Sequence, residues 1–154
     1  MSKVRRIIGL ALLVLTTVAT SVGAEADERL AGPFVANVQK VIDGDTLSVE
    51  VPVWLGLALT ASVRLRGIDA PELHGQCQRE KDLAVAAQKQ LAQETPSQVT
   101  LRNIEGDKYY GRVEANVTSA EGIDLGEAML ASGLARPYDG GKRGDWCGVA
   151  SLGG

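Results

Sequence analysis

Residues 34–53 read FVANVQKVIDGDTLSVEVPV, two apolar-alternating runs joined through Asp43-Gly44-Asp45. In the first run Phe34, Ala36 and Val38 recur at every second position, and Val41-Ile42 closes it. In the second, from Thr46 to Val53, the residues Leu47, Val49, Val51 and Val53 alternate with Ser48 and Glu50. A period of two is the signature of a half-buried strand, and Asp-Gly-Asp is a turn signal between strands. Pro52 removes a backbone donor, so its strand should be near an edge or a terminus there.

Outward from this pair the same patterning continues. Trp54 to Thr60 forms an apolar hairpin tip around Gly56, expected to fold back onto the body of the domain. A third strand covers Ala61 to Ile68, with Val63, Leu65 and Gly67 on one side and Arg64, Arg66 and Ile68 on the other. A helix is predicted from Arg79 to Glu94, where Leu83, Ala87 and Leu91 make a narrow apolar stripe; Pro96 prevents its continuation. Two short strands follow, Val99–Ile104 and Arg112–Val117, linked by the charged, aromatic loop Glu105–Gly111. Asp124 with Glu127 three residues later is a capping-box pattern for a second helix, whose face holds Leu125, Ala128, Met129 and Ser132 and whose stop is Gly133. Three strands, a helix, two strands and a helix are the element order of a five-stranded OB-type barrel with two helices, a mainly β fold of the α+β class.

The N-terminus has a different character. Lys3, Arg5 and Arg6 precede an apolar run from Ile7 to Val22 and then Gly23-Ala24. A basic start, an apolar middle and small residues at the end read as a secretory signal, 1–24, cleaved after Ala24. The competing reading is a membrane anchor, which needs about 20 apolar residues; this run is shorter and is broken by Thr16, Thr17, Thr20 and Ser21. Residues 25–33 form a polar, loose lead-in, 34–138 the domain, and 139–154 a glycine-rich tail. The mature chain is thus read as one exported domain, periplasmic or released, monomeric, with no stable membrane association.

Charge narrows the partners. The chain has 16 basic and 19 acidic residues, and three of the basic ones lie in the signal, so the mature protein is near −6. Nucleic-acid binders are usually basic; any such binding here must be confined to a local cationic cleft. Two cysteines, Cys77 and Cys147, survive cleavage and in an exported protein read as one disulfide. Closing a loop of about 70 residues is worth roughly 4 kcal/mol in the chain-entropy model. His74-x-x-Cys77 has zinc-ligand spacing, although no fourth ligand is evident.

Charged residues fall at strand ends. Asp45 opens the second strand, Arg64 lies within the third, Asp69 and Glu72 stand at its exit, and Arg112 opens the fifth. Should these ends converge, three carboxylates and two guanidiniums share a pocket. That set meets the needs of phosphodiester cleavage: carboxylate oxygens hold a hard divalent cation, another carboxylate takes a proton from water, and guanidiniums fork onto phosphate.

Three ordered segments, Val41-Ile42-Asp43-Gly44-Asp45-Thr46, Val63-Arg64-Leu65-Arg66-Gly67-Ile68-Asp69-Ala70-Pro71-Glu72 and Asp107-Lys108-Tyr109-Tyr110-Gly111-Arg112, resemble the staphylococcal nuclease (thermonuclease) family. The likeness runs from about Phe34 to Tyr138 and includes the second helix from Asp124 to Ala135. It implies a calcium-dependent endonuclease, a hydrolase of DNA or RNA that leaves 3′-phosphate ends. Asp45 and Asp69 would be calcium carboxylates, with the backbone carbonyl of Ala70 as a further ligand and Asp43 supporting the turn. Glu72 would be the general base, and Arg64 and Arg112 would bind the phosphate. Lys108, Tyr109 or Tyr110, and Tyr138 would line the nucleotide site. The acidic net charge favours single strands or short fragments.

Four departures from the family pattern stand out. Ala70 stands where the family often has Thr; Tyr109-Tyr110 adds a residue before Gly111; the Trp54 hairpin is longer; and the glycine-rich tail replaces a last helix. A Cys77–Cys147 bridge would pin that tail beside the active-site loop. Taken singly, Asp43-Gly44-Asp45 is an ordinary turn, Asp69-Ala70-Pro71-Glu72 a capped turn, Arg66 a paired or solvated strand residue and His74 a loop residue. A catalytically idle barrel that binds nucleic acid or protein, and a disulfide-stapled envelope domain without a ligand, are the other two readings.

Overall fold

In a computed structural model, which describes residues 29–148, the period-two segments become a closed barrel. The predicted signal and residues 25–28 of the lead-in lie outside the described residues, as do 149–154. The strands are β1 (Arg29–Leu30), β2 (Phe34–Val41), β3 (Thr46–Trp54), β4 (Leu57–Leu65), β5 (Ile68–Asp69), β6 (Gln98–Gly106), β7 (Arg112–Thr118) and β8 (Arg136–Pro137); the helices are α1 (Gln78–Glu94) and α2 (Leu125–Ala131). The main sheet runs β1-β6-β2-β3-β4-β7, and β6 also pairs with β7, so five strands from β6 round to β7 close the barrel. Every neighbouring pair in it is antiparallel except β4 with β7. The expected five-stranded, two-helix OB-type architecture is the one observed. Part of the lead-in is ordered too, because Arg29 and Leu30 pair with Glu105 and Ile104 on β6.

Alternation sets the core. Ala36, Leu47, Val49, Val63, Leu65, Val99 and Val117 point inward and are buried, which removes their apolar surface from water at about 25 cal/mol per Å². On α1 the buried positions are Glu80, Ala84, Ala87 and Leu91, a spacing of four, three and four residues that follows the helical repeat. Leu83 is only half-buried, so the apolar stripe lies one residue round from the expected one at its N-terminal end. The start of α1 also differs by a residue, since Cys77 is the N-cap and its sulfur accepts the Glu80 N–H. At α2 the capping pattern is realised: Asp124 Oδ1 accepts the Glu127 N–H at 3.1 Å, and Gly133 turns the chain away with φ +71°.

The hairpin after Pro52 departs from expectation. β3 and β4 stay paired out to Trp54 and Leu57, leaving only Leu55-Gly56 as the turn. The ribbon stands off the barrel instead of folding back on it, with Trp54 75% and Leu55 90% exposed. Pairing explains why. β2 accompanies β3 only as far as Glu50, and β7 accompanies β4 only from Ser62, so among the described residues no strand flanks the outer half of the ribbon.

Candidate active site

Asp45 is placed by its turn. Asp43 Oδ1 accepts the Asp45 N–H at 3.0 Å, and the Ile42 N–H donates to the Thr46 carbonyl at 2.9 Å. The turn packs so closely that a Cβ on Gly44 would meet the Cβ atoms of Ala87 at 2.6 Å and Ala70 at 2.8 Å. Only glycine admits this approach, and it brings Asp45 against the Ile68–Glu72 segment: Asp45 Oδ2 accepts the Ala70 N–H at 3.1 Å. Asp43 therefore supports the turn, as the resemblance implies.

Arg64 comes from β4, facing Thr46 on β3 and Glu114 on β7. Its guanidinium lies 2.8 Å from Asp45, 3.6 Å from Asp69 and 4.0 Å from Glu114, and donates to the Ile68 carbonyl at 3.1 Å. Asp45 and Arg64 are both buried, at 3% and 8% exposure. Burial pushes the Asp45 carboxyl up to about 6, outweighing the attraction of Arg64; Asp43 adds to the rise, and the Thr46 hydroxyl and Ala70 N–H oppose it.

Asp69 is fixed by β5, which pairs with β8 through Ile68–Pro137 and Asp69–Arg136. Glu72 rides on the loop into α1, which is shaped by a buried carboxylate. Glu80 accepts the Glu72 N–H at 3.4 Å and the Gln76 N–H at 2.8 Å. The Cys77–Cys147 disulfide is formed beside it, with Cα atoms 5.9 Å apart. The zinc reading of His74-x-x-Cys77 gains no support from this arrangement. Among the described residues the His/Cys/Asp/Glu group with ligand atoms all within 4.8 Å is Cys77, Glu80 and Cys147, and its two sulfurs are bonded to each other.

On the far wall the Asp107–Arg112 loop is tight. Asp107 N–H donates to the Arg112 carbonyl, Arg112 N–H to the Tyr109 carbonyl, and Gly111 takes φ +78°. Arg112 Nε bonds Asp107 Oδ2 at 2.7 Å. Burial alone would raise the Asp107 pKa, but Arg112 and the backbone N–H groups of Tyr109 and Lys108 together bring it below its ordinary value. Two cations stand over the Tyr109 ring, Arg112 at 4.5 Å and Lys108 Nζ at 5.3 Å from its centre, and the residue stays exposed. Tyr110 is fully exposed. The extra residue is thus taken up by the loop, and Arg112 keeps its register with Ser62.

These walls enclose a cleft of about 390 Å³ bordered by Arg64, Glu72, Lys108, Tyr109, Arg112 and Tyr138. Six of the sequence-predicted residues thereby meet in one place; Tyr110 does not border it, nor do Asp45 and Asp69, which are ion-paired with Arg64, or Ala70, which donates to Asp45. Four cations and three carboxylates line the cleft, giving it a local positive excess on an acidic chain.

The sequence reading missed two residues from the tail. Arg143 donates to Asp69 Oδ1, to Glu72 Oε1 and, at 2.7 Å, to the Ala70 carbonyl. Trp146, buried, donates its indole N–H to Asp69 Oδ2 at 3.1 Å and stacks under Arg136 at 3.7 Å. Asp45, Arg64, Asp69, Arg143 and Glu72 form one chain of alternating charge. The donors Asp69, Ala70 carbonyl and Glu72 already converge on a single cationic group. By charge and by oxygen type they fit a hard divalent cation, with Asp45 one step away across Arg64.

A closed barrel whose one end gathers carboxylates and guanidiniums around an open cleft defines an OB-type protein with a site for an anionic ligand. Residues 62–145, more than half of the 154-residue sequence, match the model of the family described as staphylococcal nuclease homologue, and the chain belongs to that family. The family is one of nucleases, typically calcium-dependent, and implies a nucleic-acid substrate. A comparison with curated proteins returns no match.

Proposed function

We propose that this chain is an exported, calcium-dependent phosphodiesterase that hydrolyses single-stranded or short DNA and RNA. The observation that carries the reading is the cleft itself, where Glu72, Arg64 and Arg112 face one another beside Lys108, Tyr109 and Tyr138. Glu72 accepts the proton of the attacking water. Arg64 and Arg112 fork onto the phosphate oxygens and meet the charge that grows on them in the transition state. Tyr109 and Tyr138 offer ring faces to a base or sugar, and Lys108 a cation to a flanking phosphate. Asp45, Asp69 and the Ala70 carbonyl would hold calcium, which would supply Lewis-acid polarisation of the phosphate. Export rests on the basic and apolar N-terminus and on the disulfide, a bond that persists in oxidising compartments.

An idle binding barrel is the second reading, favoured by the ion pair that Arg143 makes with Glu72. One experiment separates the two. The oxidised mature domain is incubated with single-stranded DNA and RNA, with calcium or with chelator, beside the Glu72→Gln variant. Calcium-dependent cutting that the substitution lowers by two orders of magnitude or more is expected for a lost general base. Binding of the oligonucleotide without cutting by the folded, calcium-exposed protein sinks the hydrolase reading and leaves the binding module.

A further inference from the structure

Arg143 reaches its position on a strap anchored at both ends. On one side β8 pairs with β5 and the Tyr138 N–H donates to the Gly67 carbonyl at 2.9 Å. On the other, Cys147 is bonded to Cys77, while Trp146, within the strap, donates its indole N–H to Asp69. Between the anchors lie Gly140, Gly141 and Gly144, with Gly140 at φ +94°. Two bonds tie the strap to its flanks, Tyr138 Oη to the Gly141 carbonyl at 2.8 Å and Arg136 to the Asp145 carbonyl at 2.9 Å, and between them Lys142-Arg143 has glycine on both sides to absorb a change of backbone.

The guanidinium it carries has the properties of a resident counter-ion. Burial works against its charge, but hydrogen bonds and attraction from Glu72 and Asp69 more than offset that and raise its pKa further, so it stays charged. Its three contacts are Asp69, the Ala70 carbonyl and Glu72, which are two of the groups assigned above to calcium and the one assigned to the base. The guanidinium occupies the point on which these oxygens converge, so a divalent cation ligated by all three would have to take its place. Arg143 is the counter-ion of Asp69 and Glu72. A divalent cation added on the same two carboxylates would set three positive charges against two in a partly dry site, where repulsion is poorly screened.

We propose that Arg143 is an internal cation that holds the site closed, and that calcium must displace it before Glu72 is available to water. The strap from Tyr138 to Cys147 is then a latch, and the affinity for calcium is set by how firmly that latch sits. This inference rests on the reading of Asp69, Ala70 and Glu72 as cation and base groups. The measured affinity is then the intrinsic one multiplied by the fraction of molecules with the latch open.

The test is isothermal titration of calcium chloride into the calcium-stripped, oxidised protein, as wild type, as Arg143→Gln and as Arg143→Lys. A Trp54→Phe background leaves Trp146 as the single tryptophan, so its emission reports release of the strap. Near-ultraviolet circular dichroism checks that each variant is folded. The glutamine variant should bind calcium about tenfold or more tightly than wild type, because a latch held closed in nine molecules of ten costs a factor of about ten. Lysine, which keeps the charge but not the fork, should fall between the two. Trp146 emission should shift to longer wavelength on calcium saturation of the wild type. Equal or weaker binding by folded Arg143→Gln overturns the latch while leaving the calcium-dependent reading intact. Absence of calcium binding in wild type and both variants overturns the latch and the calcium-dependent reading together.

Discussion

Arg64 offers a perturbation whose energetic consequence is bounded by the structure. Arg64→Met keeps the length and apolar stem of the side chain and removes its charge. Asp45, 2.8 Å away, has its carboxyl pushed up to about 6 from 3.8 because burial outweighs Arg64. Keeping that carboxyl ionised at pH 7 therefore already costs about 3 kcal/mol relative to the unfolded chain. Without Arg64 the pKa climbs further, until the carboxyl takes a proton instead of bearing a larger penalty. At pH 7 that ceiling lies only about one pH unit above the present value, so the additional cost through Asp45 is limited to about 1 kcal/mol. At pH 8 the limit is about 3 kcal/mol, and at pH 6 it is close to zero. The sign follows from the direction of the shift. A carboxyl raised in the folded state is most favourable to folding below its unfolded pKa and loses that contribution as pH climbs through its folded value. The variant moves the folded value up, so the loss continues to higher pH. Beneath this lies a pH-independent cost of about 1–3 kcal/mol for the orphaned Ile68 carbonyl and lost charge-assisted bonds. Urea unfolding in chelator at pH 6, 7 and 8 measures both parts. The gap between wild type and variant should widen by up to about 1.4 kcal/mol per pH unit, and with Asp45→Asn in both backgrounds the widening should vanish. A gap constant across the three pH values refutes the idea that Arg64 sustains the charge of Asp45.

Two further outcomes test the turn and the cleft wall. Gly44→Ala should lower stability by about 1–3 kcal/mol, since its Cβ would meet Ala87 and Ala70 at 2.6 and 2.8 Å; a thermal midpoint equal to wild type would show that the turn has room to move. Tyr109→Ala should raise KM for oligonucleotides several-fold, because the lost ring is worth about 1–3 kcal/mol per stacked base. Tyr110→Ala should leave KM unchanged, and equal effects of the two would contradict the placement of Tyr110 outside the cleft.

Much of the barrel was legible because strand alternation and turn chemistry are local properties. Leu47, Val49, Val63 and Leu65 announce their burial by period alone, and Asp124 announces a helix start through Glu127 three residues on. The carboxylates and arginines at strand ends were legible for the same reason. What local patterning could not give was anything set by a distant partner. Arg143 lies 71 residues from Glu72 and 74 from Asp69, inside a stretch whose glycine content reads as a plain tail. One signal did exist: a Cys77–Cys147 bridge carries Lys142-Arg143 toward Glu72. Glu80 escaped notice because a glutamate in a first helical turn is ordinary, and only its two loop N–H partners mark it as structural. The hairpin departs from the cover its apolar composition suggests, because its exposure is decided by where β2 and β7 stop pairing.

The disulfide also decides what a single cut in the backbone would do. Cys77 and Cys147 close a covalent ring over a separation of 70 residues, and the exposed Tyr109-Tyr110 bend lies inside it. Scission at that bend yields two fragments that stay linked, with Arg64, Asp69 and Glu72 on one and Arg112, Tyr138 and Arg143 on the other. The nicked molecule keeps its full complement of cleft residues until a reductant arrives. Scission at Leu55-Gly56 falls outside the ring and parts Asp45 from all of them.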